Sequence, residues 1–360
     1  MGIYFSDFQY FISWESIQHN HFIRTTLDEE ILKVIDFCQK YINHSEDFCF
    51  ELLTSGSTGT PKKITISKKK MKMSALSTIQ KLQLEKEKDF LICLSTDYIA
   101  GKMMLVRAIE TNANVKIIAP KQHIWEDIEA FYFAAIVPVQ LKSLLDNKNS
   151  WEKYKNIHAL IVGGATIPLE WLATIEQLQM PIYATFGMTE TVSHFALQLL
   201  NTQKKQDYFE VLENTSIQKN KNECLEIKSE ITDNQWIITN DTIELISPSQ
   251  FKWLGRIDNV INIGGKKIQP ETIENSISLY FSNYFENEAF FIAGIDDEKW
   301  GEKIVLYVET NNAWDISKID SFLTKIATYL PHSEVPKAII FEKKFERTNT
   351  GKIKRNIKKL

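Results

Sequence analysis

The sequence predicts an α/β protein: a large domain of mostly parallel strands covered by helices and completed by antiparallel strands, then a small C-terminal α+β domain. Three observations predict it. From Phe48 onward, short apolar or β-branched runs alternate with stretches of helical spacing, the pattern of a parallel sheet buried on both faces. After Gln198 the segments shorten and alternate, as in CLEIKS from Cys224 and WIITN from Trp236, which suits antiparallel strands. Beyond residues 256–259 the chain still holds enough apolar sequence for a unit of its own. The expected division is a large domain at 1–257 and a small mobile one at 258–360.

Taken in order, Phe48, Phe50 and Leu52 alternate with other residues as a strand does, and 61–66 reads as a second strand. The small residues 54–60 between them form the turn. Residues 71–84 have helical spacing, FLICL from Phe90 is a buried strand, and 100–112 is helical again. VKIIA from Val115, AAIVP from Ala134 and ALIVGG from Ala159 supply further strands, and helical spacing returns over 168–178. In a sheet of this kind ligands bind at the carboxyl ends of the strands, where both the 54–60 turn and the segment from Gly163 to Thr166 fall.

With 360 residues, 44% hydrophobic and 24% charged, the chain has material for a large core and a second unit. A formal net charge of −4 argues against a nucleic-acid protein, and the basic runs at 68–72 and 352–359 read as solvated faces. Cys38, Cys49, Cys93 and Cys224 show no metal-ligand spacing, so reduced thiols and a cytoplasmic address are expected. No stretch approaches the roughly 18 apolar residues that span a bilayer. Residues 1–6 meet the loose myristoylation pattern, but nothing else points to a membrane partner.

The turn LLTSGSTGTPKK, which begins at Leu52, is built to hold phosphate. Gly56 and Gly59 permit positive φ, so that backbone N–H groups can converge on an anion. Ser55, Ser57, Thr58 and Thr60 add hydroxyl donors, and Lys62 and Lys63 add positive charge. The spacing is not that of a Walker A loop, and a strand rather than a helix is expected to follow.

Three further segments stand with this loop: ATFGMTET from Ala184, FKWLGRIDNVINIGGKKIQPETIE from Phe251, and RTNTGKIKR from Arg347. Together and in this order they resemble the signature motifs of the acyl-adenylate-forming superfamily of acyl-CoA synthetases, firefly luciferase and peptide-synthetase adenylation domains. The resemblance covers nearly everything from Thr54 onward and implies ATP, Mg²⁺ and coenzyme A as co-substrates and cofactor.

It also implies residue roles. The loop from Thr54 to Lys62 grips the β- and γ-phosphates, Thr189 bonds the α-phosphate, Glu190 holds Mg²⁺, and Phe186, followed by Gly187, flanks the adenine. Gly163 and Gly164 pack under adenine and the acyl group. Asp241 accepts from the ribose hydroxyls; Asn240 stands where the family has glycine, and asparagine tolerates positive φ. Arg256 contacts ribose or phosphate, Asp258 is the hinge, and Gly264 and Gly265 line the pantetheine tunnel. Lys352 is similar to the mobile catalytic lysine, which offsets the charge of two approaching anions.

Within the superfamily the chain looks like short bacterial o-succinylbenzoate–CoA ligases of menaquinone biosynthesis, on LSTDYIAGKMMLVRAI from Leu94, AAIVPVQ from Ala134 and GMTETVSHFA from Gly187. A dicarboxylate requires a cation for the carboxyl group that is not activated, and Lys102, Arg107 and His194 are candidates. Two departures stand out. Many relatives have a histidine near Asp97 and Tyr98, and they carry far more than the 53 residues that precede Thr54. A sheet layer is therefore expected to be reduced, leaving the entrances more open or covered by a second subunit of a homodimer. Two other readings stay open: adenylation of another aryl or alkyl acid with CoA or a carrier-protein acceptor, and a non-catalytic nucleotide-binding regulator.

Overall fold

The computed structural model describes residues 1–53, 63–126, 128–285, 288–311, 316–347 and 353–355. The chain separates into two compact units, one comprising Met1–Ile167, Trp171–Ser216 and Ile227–Ile237, the other Pro168–Glu170, Ile217–Glu226 and Ile238–Leu360.

In the first unit the chain runs through β1 (Gly2–Phe5), β2 (Tyr10–Ser13), α1 (Trp14–His19), α2 (Glu29–Asn43), the hairpin β3 (Cys49–Leu53) and β4 (Lys63–Ser67), and α3 (Lys68–Leu82). It continues with β5 (Asp89–Ile92), α4 (Ile99–Glu110), β6 (Asn114–Ile117), β7 (Phe133–Ile136), α5 (Pro138–Asp146), α6 (Trp151–Tyr154) and β8 (Ala159–Val162). After these come α7 (Leu172–Ile175), β9 (Ile182–Gly187), β10 (His194–Leu199) and β11 (Phe209–Val211). The strands lie in the order β11-β10-β9-β8-β7-β5-β6-β1-β2. Pairing is parallel from β9 to β1 and antiparallel at both ends.

Apolar runs fill this sheet because neither face meets water. Phe90, Ile92, Phe133, Ala135, Ala159 and Ile161 pack toward α2, α3 and α4. Their immediate neighbours Leu91, Ala134, Ile136, Leu160 and Val162 pack toward α5, α6 and α7. The period of two is that of a strand whose two faces are both core. Phe90 and Phe133 meet edge-on at 5.1 Å on adjacent strands, each burial contributing about 1.5–3 kcal/mol.

Local signals set the helix starts. Asp28 caps α2 by accepting the Glu30 N–H at 2.8 Å, and Ser67 caps α3 through the Lys70 N–H. The lysines of 68–72 are not simply solvated: Lys68 donates to the carbonyls of Ile42 and His44 at the end of α2, at 3.3 and 2.8 Å, where a cation also complements the helix dipole.

The helix expected over 168–178 is shorter. A 3-10 turn at Leu169–Trp171 leads into α7, which ends at Ile175. The buried Asn201 amide takes the carbonyls of Ile175, Leu178 and Met180, and these tertiary bonds replace the helical ones. Cys38, Cys93 and Cys224 are buried, Cys49 is exposed, and all four are free thiols. No described helix is long and apolar enough to cross a membrane.

The second unit carries β12 (Thr215–Lys219), β13 (Cys224–Ser229), β14 (Ile237–Ser247) and β15 (Gln250–Arg256), side by side in that order. It then forms β16 (Ile261–Ile263), β17 (Lys266–Ile268), α8 (Pro270–Phe285), β18 (Phe290–Asp297), β19 (Gly301–Glu309), α9 (Ile316–Ile326) and β20 (Ala338–Glu342). The sheet β17-β16-β19-β18, with β20 parallel to β19, is the α+β unit expected of the C-terminal part. Pro270 opens α8 where its missing N–H does no harm. Ile273, Ile277, Phe281 and Phe285 then share the helix stripe that covers Ile292, Leu306 and Phe322.

Candidate active site

In the first unit the expected residues gather at the carboxyl ends of β7, β8 and β9. Gly163 follows β8, and a Cβ there would sit 2.4 Å from Thr185 Oγ1 on β9. Gly164 has φ 91°, so this turn needs both glycines. Phe186 is half-buried and meets Phe195 and Phe209 edge-on at 5.7 and 5.3 Å. Gly187 pairs with His194, and any Cβ would lie 2.4 Å from the His194 Cα and the Ser193 carbonyl oxygen.

Thr189 and Glu190 follow on a 3-10 turn, Thr189–Thr191. The Thr191 hydroxyl donates to the carbonyls of Met188 and Ser193 at 2.9 and 2.7 Å, and it accepts the Met188 N–H at 3.1 Å. Val192 then adopts φ 66°, a region that a β-branched residue enters only when its surroundings compel it. Glu190 itself is exposed, a lone carboxylate suited to Mg²⁺, which takes few protein ligands and keeps water or phosphate oxygens for the rest. No cluster of three metal-ligating side chains exists among the described residues.

Arg107 and His194 are brought together. Arg107, on α4, is only 1% exposed. Its Nη2 donates to Thr78 Oγ1 at 3.3 Å and Ser193 Oγ at 3.1 Å, while Thr78 Oγ1 also bonds His194 Nε2 at 3.1 Å. Among the described residues no carboxylate pairs with Arg107, and its Nε–H has no partner. Burial lowers its pKa to about 9. Burial first, and then the neighbouring guanidinium, hold His194 well below the usual histidine value, so His194 is neutral.

Because the folded state resists protonating His194 while the unfolded chain protonates near 6.5, stability falls as pH drops below that value. His194→Gln, whose amide can still meet Thr78, is expected to flatten the decline of the thermal midpoint from pH 6.5 to about pH 5. An unchanged decline in a pH series of melts would show that His194 does not titrate in this way.

Lys102 does not join this cluster. Its ammonium donates to the carbonyls of Thr96 and Asp97 at 2.7 and 2.8 Å and lies beside a cleft of about 530 Å³ with Phe37, Phe48 and Asp97.

In the second unit Asp241 on β14 faces Arg256 on β15. Asp241 Oδ1 accepts Trp253 Nε1–H at 3.0 Å and lies 3.9 Å from Arg256 Nη1. Arg256 Nη2 donates to Asp258 at 2.6 Å, and the Asn240 amide donates to both Asp258 oxygens at 3.2 and 3.1 Å. Asn240 is therefore not in the left-handed region expected for a glycine substitute; it lies in β14 and uses its side chain to hold Asp258. Gly264 and Gly265, φ 57° and 87°, form the two-residue turn between β16 and β17, whose twist requires positive φ at both positions.

The sequence profile of the AMP-binding enzyme family matches residues 13–214. The chain belongs to this family. Among AMP-binding relatives, the 2-succinylbenzoate–CoA ligase of Escherichia coli (strain K12) is 25% identical over 275 residues, covering 72% of this chain and 58% of its own length. That of Staphylococcus epidermidis is 26% identical over 333 residues, covering 84% and 68%. The chain thus spans about six-tenths of the E. coli relative it matches.

An acyl-CoA synthetase (AMP-forming)/AMP-acid ligase II-like protein from Dyadobacter fermentans is 33% identical with TM-score 0.65, over 96% of this chain and 97% of that one. The Bacillus subtilis o-succinylbenzoate coenzyme A synthetase, solved with ATP and magnesium, shares the fold at TM-score 0.72 and 20% identity, over 87% and 70%. The expected phosphate-loop residues Thr54, Ser55, Gly56, Ser57, Thr58, Gly59 and Lys62, and Lys352, lie outside the described residues. Thr78 and Ser193 carried no signal in the sequence, since isolated hydroxyls 29 and 86 residues from Arg107 announce nothing until folded.

Proposed function

We propose that the chain is an ATP-dependent acid–thiol ligase acting on o-succinylbenzoate. The carboxylate attacks the α-phosphorus of ATP, the α–β anhydride bond breaks, and pyrophosphate leaves. CoA thiol then attacks the acyl carbon of the mixed anhydride and AMP departs. No protein nucleophile is needed, because adenylation itself turns a poor leaving oxygen into a good one.

The observation that carries this reading is Arg107, a buried guanidinium with no carboxylate of its own among the described residues. Thr78 and Ser193 take both hydrogens of Nη2 and Met104 Sδ lies 3.9 Å from Nη1, which leaves Nε–H as the buried donor without a partner, able to bond one oxygen of a carboxylate. The second carboxyl group of a dicarboxylic acid supplies that partner. Glu190 would hold Mg²⁺, which when bound neutralises phosphate charge during the displacement. Thr189 would bond the α-phosphate, Asp241 and Arg256 the ribose, and the segment 258–360 would turn about Asp258 between the two steps.

A panel of acids in pyrophosphate exchange tests the assignment. o-Succinylbenzoate is expected to exceed benzoate by at least ~10²-fold in kcat/KM, because an unpaired buried charge rejects the monoacid. Exchange with benzoate and none with o-succinylbenzoate would reject it.

A further inference from the structure

We propose that Thr191 is a positioning residue whose one hydroxyl sets two subsites together, the carboxylate of Glu190 for the metal and the guanidinium of Arg107 for the acid. This rests on the reading of Glu190 as the Mg²⁺ ligand and of Arg107 as the partner of the acid's second carboxyl group.

β9 and β10 are antiparallel neighbours with His194 opposite Gly187, so residues 188–193 form the connection between them. Glu190 is exposed on this connection. Ser193, where the chain rejoins the sheet, takes Arg107 Nη2 on its Oγ at 3.1 Å. Thr191 lies between the two and is only 2% exposed. Its hydroxyl reaches back to Met188, accepting from the N–H at 3.1 Å and donating to the carbonyl at 2.9 Å, and forward to the Ser193 carbonyl at 2.7 Å. A single buried oxygen therefore ties the residue before Thr189 and Glu190 to the residue that holds the arginine.

The backbone folds the connection tightly: the Val192 N–H donates to the Thr189 carbonyl at 2.9 Å and the Ser193 N–H to the Thr191 carbonyl at 2.7 Å. Val192, between Glu190 and Ser193, is a strained joint at φ 66°, a region that a β-branched residue leaves when it can. Rotation at one such residue swings the chain on one side against the chain on the other. Without the Thr191 hydroxyl, the Met188 N–H and the Ser193 carbonyl lose a buried partner, and relaxation at Val192 relieves strain at the same time. Both effects move Glu190 relative to Ser193, and through Ser193 they reach Arg107.

The test uses the full chain carrying Thr191→Val, Thr191→Ala or Thr191→Ser, with Glu190→Gln and Ser193→Ala altering one arm each. Three quantities are read: the gain in ATP affinity that Mg²⁺ gives, from calorimetric titrations with the metal and with EDTA in the absence of acid; KM for o-succinylbenzoate in pyrophosphate exchange; and the thermal midpoint. Thr191→Val and Thr191→Ala are expected to cut the metal-dependent gain and to raise KM by ~10-fold each, the size of one lost buried hydrogen bond, while Thr191→Ser restores both. Glu190→Gln should move the first quantity alone and Ser193→Ala the second alone. A lower midpoint with both constants native would overturn the proposal in favour of a purely structural hydroxyl, and so would a shift in only one of the two. Should Thr191→Val fail to fold, Thr191→Ala is read in its place by the same criteria. A native metal dependence in Glu190→Gln, or no exchange with o-succinylbenzoate in the unaltered chain, would instead remove the reading of that arm and the proposal with it.

Discussion

Lys352→Ala is expected to lower acyl-adenylate formation by about 10²–10³-fold, the usual consequence of removing one charge-stabilising group from a transition state. Two anions, carboxylate and α-phosphate, must approach within bonding distance, and in the role that the family resemblance implies for Lys352 its ammonium would offset the charge that accumulates. Thioester formation from acyl-AMP creates no such encounter. It should therefore proceed at the native rate in the same variant, as should ATP binding measured by calorimetry. A matching loss in both half-reactions would mean that the lysine serves the fold or the nucleotide site as a whole.

Arg107→Met should separate substrate recognition from stability in the opposite way to most core substitutions. Loss of the guanidinium is expected to raise KM for o-succinylbenzoate by ~10²-fold or more, since removing one partner of a buried charge pair costs 2–5 kcal/mol. Yet the thermal midpoint of the ligand-free chain should hold or rise. A buried arginine with an unsatisfied Nε–H and no described counter-charge is a burden on folding that methionine removes at similar volume. A midpoint that falls by several degrees with KM unaltered would mark Arg107 as structural.

Much of the fold was legible because both faces of the sheet are core. Continuous runs such as FLICL and ALIVGG mean buried parallel strands, and the structure pairs each of them in parallel with β7, which lies between them. The edge hairpin of β1 and β2 carried no such signal, since four-residue strands at the border of a sheet take their pairing from neighbours rather than from pattern. The truncated α7 was illegible for a related reason: Asn201, 26 residues beyond Ile175, takes the carbonyls that would have continued the helix.

Site chemistry divides along the same line. Arg107 stood out as a cation inside MMLVRAI, and Glu190 and Asp241 stood in motifs. The hydroxyls that aim the arginine became visible only through folding. Asn240 shows a substitution solved by other means, its amide bonding Asp258 instead of its backbone entering the left-handed region.

The backbone at Val192 sets heat tolerance against carboxylate placement. Holding a β-branched residue at φ 66° takes about 1–3 kcal/mol out of the folding free energy, and glycine would return it. The same change would release the turn that carries Glu190, so a chain selected for robustness and a chain selected for turnover would diverge at this one residue.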